Sequence, residues 1–265
     1  MKTQSAPDPD SKLPQITAAF WIMKITATTL GETAGDQLSM TWKIGYALSS
    51  IILLSAFLAS LVAQLAAKRY RPALYWTVIL ATSTAGTTMS DFMDRTLHLG
   101  YARGSALLIA ILVTVFATWR FTTGTLSVDH VKTRRAELFY WIAILFSNTL
   151  GTALGDFLAD SSGLGFAGGA ALIGTLLAIV LALTFLTRIS RVALFWIAFV
   201  LTRPFGATLG DVLTKPHSRG GLGLGTAGSS LVLGAVLVFF VVRAMQSERA
   251  RGAQRATPTM PSTAP

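Results

Sequence analysis

Cysteine is absent from the 265 residues. The chain therefore has no disulfide and no thiolate metal site, and carboxylate, carbonyl and imidazole are the ligand types left for any bound cation. Charge is also scarce: 13% of residues are charged against 52% hydrophobic, too little for a surface that faces water. This composition indicates an integral membrane protein. Acids are the scarcer sign, 12 Asp and Glu against 22 Lys and Arg, for a net charge of +10. The Lys and Arg sit at the ends of apolar runs rather than on a polar domain, so the excess follows membrane topology and no nucleic-acid partner is expected. Also missing are H-E-x-x-H, G-x-S-x-G and the P-loop, and no G-x-G-x-x-G string sits in the strand-turn-helix unit of a dinucleotide fingerprint, so neither an enzyme nor a cofactor is expected. The opening "MKTQSAPDPDSK" is polar, and no small-residue cleavage site follows the first apolar run, so no removable signal peptide is read.

Long apolar runs dominate what is present. Stretches near 14–38, 45–67, 73–93, 101–119, 138–158, 165–187, 191–213 and 222–243 are each long enough for a helix across a roughly 30 Å hydrocarbon core, which takes about 20 residues. The expected fold is all-α with eight transmembrane helices. A single membrane domain, 13–243, is flanked by a tail at 1–12 and a Pro/Ser/Thr-rich segment at 244–265, read as disordered. Fifteen Lys and Arg fall on one side of the spans and five on the other, which places both termini in the cytoplasm.

Four copies of one unit fill the domain, at 13–68, 69–121, 138–188 and 189–243, with a polar cytoplasmic connection at 122–137 between the second and third. Each has an aromatic-Trp pair: Phe20-Trp21, Tyr75-Trp76, Tyr140-Trp141 and Phe195-Trp196. Ten residues after each Trp comes Gly31, Gly86, Gly151 or Gly206, and fifteen after it comes Asp36, Asp91, Asp156 or Asp211. A second small residue, Gly35, Ser90, Gly155 or Gly210, precedes each Asp. Two spans per unit give every copy the same orientation, so these are parallel repeats. With these features the sequence resembles bacterial membrane proteins built from four tandem copies of the repeat catalogued as domain of unknown function 347, each with two spans and a characteristic tryptophan, matched here by Trp21, Trp76, Trp141 and Trp196. The resemblance implies a fold more than an activity.

The spacing places each Trp at the cytoplasmic headgroups, where an indole anchors, and its Asp about 22 Å further along the helix, still inside the hydrocarbon. An acid at that depth costs enough that it must face water or other protein. The G-x-x-x-[GS] faces let backbones approach closely, so the four first helices are expected at the centre and the second helices outside, with the carboxylates ringing an axial, outward-opening cavity. Two readings of the aspartates stand at this point: an ion site, or caps for the outer loops. Divergence between units adds Glu32, one turn before Asp36, where the others carry Thr87, Thr152 and Ala207. At another shared position the units carry Thr28, Ser83, Asn148 and Arg203. Arg203 is expected to pair with Glu32 or an aspartate, and Lys24 to snorkel to the cytoplasm. Asp94 with His98, and the loop His217, offer a further metal-ligating combination.

The functional expectation is a secondary transporter in the bacterial inner membrane, proton-coupled, with Asp36, Asp91, Asp156, Asp211 and Glu32 as its ion site. Arg203, Asn148, Lys24 and the four glycines Gly31, Gly86, Gly151 and Gly206 support that site. A hard divalent metal ion on the four aspartates suits the ligand set, with backbone oxygens freed at the glycines, and efflux suits an outward-opening acidic site. The alternative is a non-transporting scaffold or sensor with structural aspartates. Expected partners are the bilayer, protons and a small ion or small molecule; oligomeric state is not legible.

Overall fold

The structure, a computed structural model, describes residues 12–256. It contains eight long helices and, among the described residues, no strand: α1 (Ala18–Asp36), α2 (Tyr46–Ala66), α3 (Pro72–Asp91), α4 (Tyr101–Thr123), α5 (Arg134–Asp156), α6 (Gly165–Leu186), α7 (Arg191–Thr214) and α8 (Gly225–Ala256). A wider π-helical turn follows the terminal aspartate of α1, α3 and α5, whereas α7 runs three residues past Asp211. The tail expected from 244 onward is helical as far as Ala256, since Ala, Met, Gln, Glu and Arg are all good helix formers. Its last nine residues, and 1–11 of the N-terminal tail, lie outside the described residues. Lys12 is held by Glu137 at 2.8 Å, and Leu13 is buried.

The odd-numbered helices close a ring, α1 on α3, α3 on α5, α5 on α7 and α7 on α1. The even-numbered helices lie outside it, each packed mainly on the first helix of the next repeat: α2 on α3, α4 on α5, α6 on α7, and α8 back on α1. No repeat is thus a self-contained hairpin. Six helices are long and apolar enough to cross a membrane: α2, α4, α6 and α8, with most of their surface outward, and α5 and α7. α1 and α3 fall short of that measure although their runs were read as spans. The reason is their hydroxyl and charge content, including Lys24, Thr28, Glu32, Ser83 and Thr87, each of these five buried inside the ring.

Glycine explains how the ring closes. A methyl on Gly31 would overlap the Ser83 side chain, one on Gly151 the stem of Arg203, and one on Gly206 the Thr28 side chain. On Gly86 it would lie 2.9 Å from the Thr149 backbone nitrogen. Each glycine of the repeat therefore receives the residue seven after the Trp of the next repeat, four times around. The helices stay continuous across these glycines, so the backbone oxygens expected to be freed there remain in helical hydrogen bonds.

The tryptophans differ from expectation. Trp76, Trp141 and Trp196 are buried and only Trp21 is half-buried. The aromatic before each Trp packs on the Trp of the following repeat: Phe20 on Trp76 at 5.8 Å, Tyr75 on Trp141 at 5.5 Å, Tyr140 on Trp196 at 6.0 Å and Phe195 on Trp21 at 5.8 Å. Tyr75 and Tyr140 share a hydroxyl hydrogen bond of 2.5 Å. These rings form a collar that shuts one end of the bundle axis, where packing between aromatics outweighs headgroup anchoring. Brominated lipid is therefore expected to quench Trp42, 64% exposed, and to leave Trp141 nearly unquenched in single-tryptophan variants. Equal quenching of the two would contradict the buried collar.

Candidate functional site

Above the collar the axis is built in layers four residues apart, one residue from each first helix. The first holds Lys24, Ile79, Ile144 and Phe199, all buried. Lys24 does not snorkel. Its ammonium lies 4.2 Å from the Phe199 ring centroid and donates to Asn148 Oδ1 at 3.4 Å. Asn148 in turn donates to Thr82 Oγ1 at 2.9 Å, tying α1, α3 and α5 together.

Thr28, Ser83, Asn148 and Arg203 form the second layer and Glu32, Thr87, Thr152 and Ala207 the third. Arg203 reaches from one into the other. Nη1 donates to Glu32 Oε2 at 2.9 Å, and Nη2 to Thr87 and Thr152 Oγ1, both at 2.6 Å. Both threonine hydroxyls also lie 3.3 Å from Glu32 Oε2. Four repeats thus supply an acid, two hydroxyls and a guanidinium to one buried knot, and the small Ala207 leaves room for it. Of the expected partners, Arg203 takes Glu32.

The fourth layer carries Asp36, Asp91, Asp156 and Asp211, all buried. The expected open acidic ring is replaced by two bridged pairs. Arg95 joins Asp91 (Nε to Oδ1, 2.8 Å) to Asp156 (Nη2 to Oδ2, 3.1 Å). Lys215 joins Asp36 Oδ2 to Asp211 Oδ1, 3.1 Å from each. Burying unneutralised carboxylates side by side is costly, and each pair takes one cation from its own end of the bundle. The two bridging side chains keep 35% and 22% of their surface exposed. By sequence both belong to the five Lys and Arg on the less basic side of the spans. The available signal was an i, i+4 relation, since Asp91 precedes Arg95 and Asp211 precedes Lys215 by one helical turn.

The ligand set also narrows. Glu32, Asp36 and Asp211 each offer a carboxylate oxygen within 4.8 Å of the others, and among the described residues this is the one group of three or more possible ligands that close. Asp91 and Asp156, expected to share a four-aspartate metal site, are outside it, drawn to Arg95. Asp94 and His98 do not converge either. Asp94 is buried beside Ser90 at 3.3 Å and over Gly104, while His98 Nδ1 meets the Arg95 carbonyl at 2.8 Å. His217 lies on an exposed turn.

The four-fold match of glycine, aspartate and aromatic pair has its counterpart in a family model, Repeat of Unknown Function (DUF347), which matches residues 19–70, 74–125, 139–190 and 194–250. The chain belongs to this DUF347 family. Each matched copy starts one residue before an aromatic-Trp pair and runs through the second helix, or in the fourth copy through most of it, so a DUF347 copy is one member of the inner ring plus one outer helix. No curated protein and no solved structure matches the chain.

Proposed function

We propose that this DUF347 protein is a secondary transporter of a small cation, with its eight helices spanning a bacterial inner membrane and both termini cytoplasmic. The Lys/Arg bias of the loops supports that orientation. Spanning by α1 and α3 is supported by their position inside the ring, where neighbours rather than lipid meet their polar side chains. The observation that carries the functional reading is the pairing of the axial aspartates: each pair is held by one basic side chain that reaches in from the acid end and stays partly exposed. Of the two, the flexible, strongly hydrated Lys215 ammonium can leave and be replaced by a free cation. Ligation needs the deprotonated carboxylates, so protons compete with the cargo and are the coupling ion. Efflux fits acids at the end opposite the cytoplasmic collar.

A second reading, a scaffold or sensor without transport, is favoured by the Arg95 bridge, which holds Asp91 and Asp156 together as a lock would. Proteoliposomes loaded with a divalent-cation dye separate the two. Transport predicts pH-gradient-driven flux that falls by about tenfold or more in Asp36→Asn/Asp211→Asn, with ligation lost. Folded yield, read by size-exclusion chromatography, should hold. The scaffold reading predicts no flux in the parent protein and a loss of folded protein that tracks any loss of phenotype.

A further inference from the structure

Building on the cation-transport reading, we infer that the protein has one cation site rather than a four-acid ring. It is formed by Glu32, Asp36 and Asp211, takes a hard divalent cation, and is held closed by Lys215 as a built-in competitor.

Four observations converge on it. The three carboxylates offer oxygens within 4.8 Å of one another. Ligand oxygens on opposite sides of one Ca2+ ion, at about 2.3–2.6 Å each, stand roughly 4.6–5.2 Å apart, whereas Mg2+ at about 2.0–2.1 Å needs them closer. Asp36, 3% exposed, has an Oδ1 that is buried with no hydrogen-bond partner, a lone-pair site that a metal ion would fill and that is costly to leave empty. The Lys215 ammonium already stands 3.1 Å from both Asp36 and Asp211, so a positive charge occupies the position between them. Finally, three carboxylates face two cations there, Arg203 and Lys215. A divalent ion in place of the ammonium makes the cluster neutral, which a monovalent ion does not. The oxygen-only ligand set selects a hard ion.

The opposite pair is unsuited to exchange. Arg95 stands between the two acids, its Nε 2.8 Å from Asp91 Oδ1 and its Nη2 donating to Asp156 Oδ2 at 3.1 Å, and it lies over the Tyr101 ring at 5.6 Å. A guanidinium fixed in this way is harder to release than a flexible, strongly hydrated ammonium.

Calorimetric titration of the purified full-length protein in detergent with Ca2+ and with Mn2+ tests the site. Lys215→Met removes the competitor and no ligand, so it is expected to bind about tenfold or more tightly than the parent, equivalent to about 1.4 kcal/mol. In the Lys215→Met background, Asp36→Asn and Asp211→Asn should each weaken binding by about tenfold or more, and Asp91→Asn by less than about threefold. Size-exclusion profiles confirm that the variants compared are folded. The site is overturned if Lys215→Met binds no more tightly than the parent, if Asp91→Asn weakens binding as much as Asp36→Asn, or if neither parent nor Lys215→Met binds either ion. Saturable binding without flux would sink the transporter reading and leave the site standing. Flux with binding unaffected by Asp36→Asn would do the reverse.

Discussion

Replacing Arg203 by methionine is expected to destabilise the protein by about 3–5 kcal/mol, the usual cost of removing one partner of a buried ion pair. Arg203 has no exposed surface and Glu32 3%, so neither charge can turn to solvent. Without the guanidinium, Glu32 keeps only the Thr87 and Thr152 hydroxyls as partners, and both hydroxyls lose the strong contact that Nη2 makes. Arg203→Met/Glu32→Gln should recover most of the loss, because the penalty lies in the stranded carboxylate more than in the pair itself. A double-mutant cycle on the detergent-solubilised protein, followed by thermal unfolding, reads the coupling directly. A single-variant cost below about 1 kcal/mol would mean that the central knot does not hold the ring together.

Gly86→Ala should be nearly as damaging, at about 1–3 kcal/mol or more, through overpacking. The new methyl would stand 2.9 Å from the Thr149 nitrogen and 3.0 Å from both the carbonyl carbon and Cβ of Asn148. Two of these are backbone atoms of a packed helix, so relief requires α3 and α5 to part. That motion would loosen the Asn148 contacts to Lys24 and Thr82 as well. Gly228 in α8 is the control, since nothing lies within 4 Å of its added methyl. There alanine should stabilise the helix by up to about 1 kcal/mol through propensity alone. Equal effects of the two substitutions on the melting temperature would refute close packing at Gly86.

The contrast between these glycines shows how far sequence reading reached. Four glycines in one register mark a close approach of helices whatever the partner, and the first helices do meet through them. What spacing within one helix does not contain is the identity of the atom across the contact. The same limit applies to the tryptophans. Counting from Trp21 or Trp141 gives a depth along the helix but not the lateral neighbour, and the neighbour is another repeat's aromatic ring. Lys24 was misplaced for a related reason: its distance from the helix end allows snorkelling, while its azimuth puts it on the axis against Phe199. Arg203 and Glu32 were legible as partners because an acid and a base at matching depths in a ring of four have few alternatives. Lys215 and Arg95 were missed because both follow the apolar runs, where charge is ordinary. Their role emerges only when a one-turn relation to a buried aspartate is weighed.

The return of α8 onto α1 has a consequence for how the chain is made. Glu32 and Arg203 are 171 residues apart, so at about 5–20 residues per second the base emerges roughly 10–30 s after the acid. During that interval α1, among the least lipid-compatible of the helices, has neither its counter-charge nor its closing neighbours. On the membrane reading proposed above, the nascent α1 must therefore stay shielded from lipid until α7 and α8 arrive. Any product truncated before α7 would be left with an orphaned acid at Glu32 and an incomplete ring.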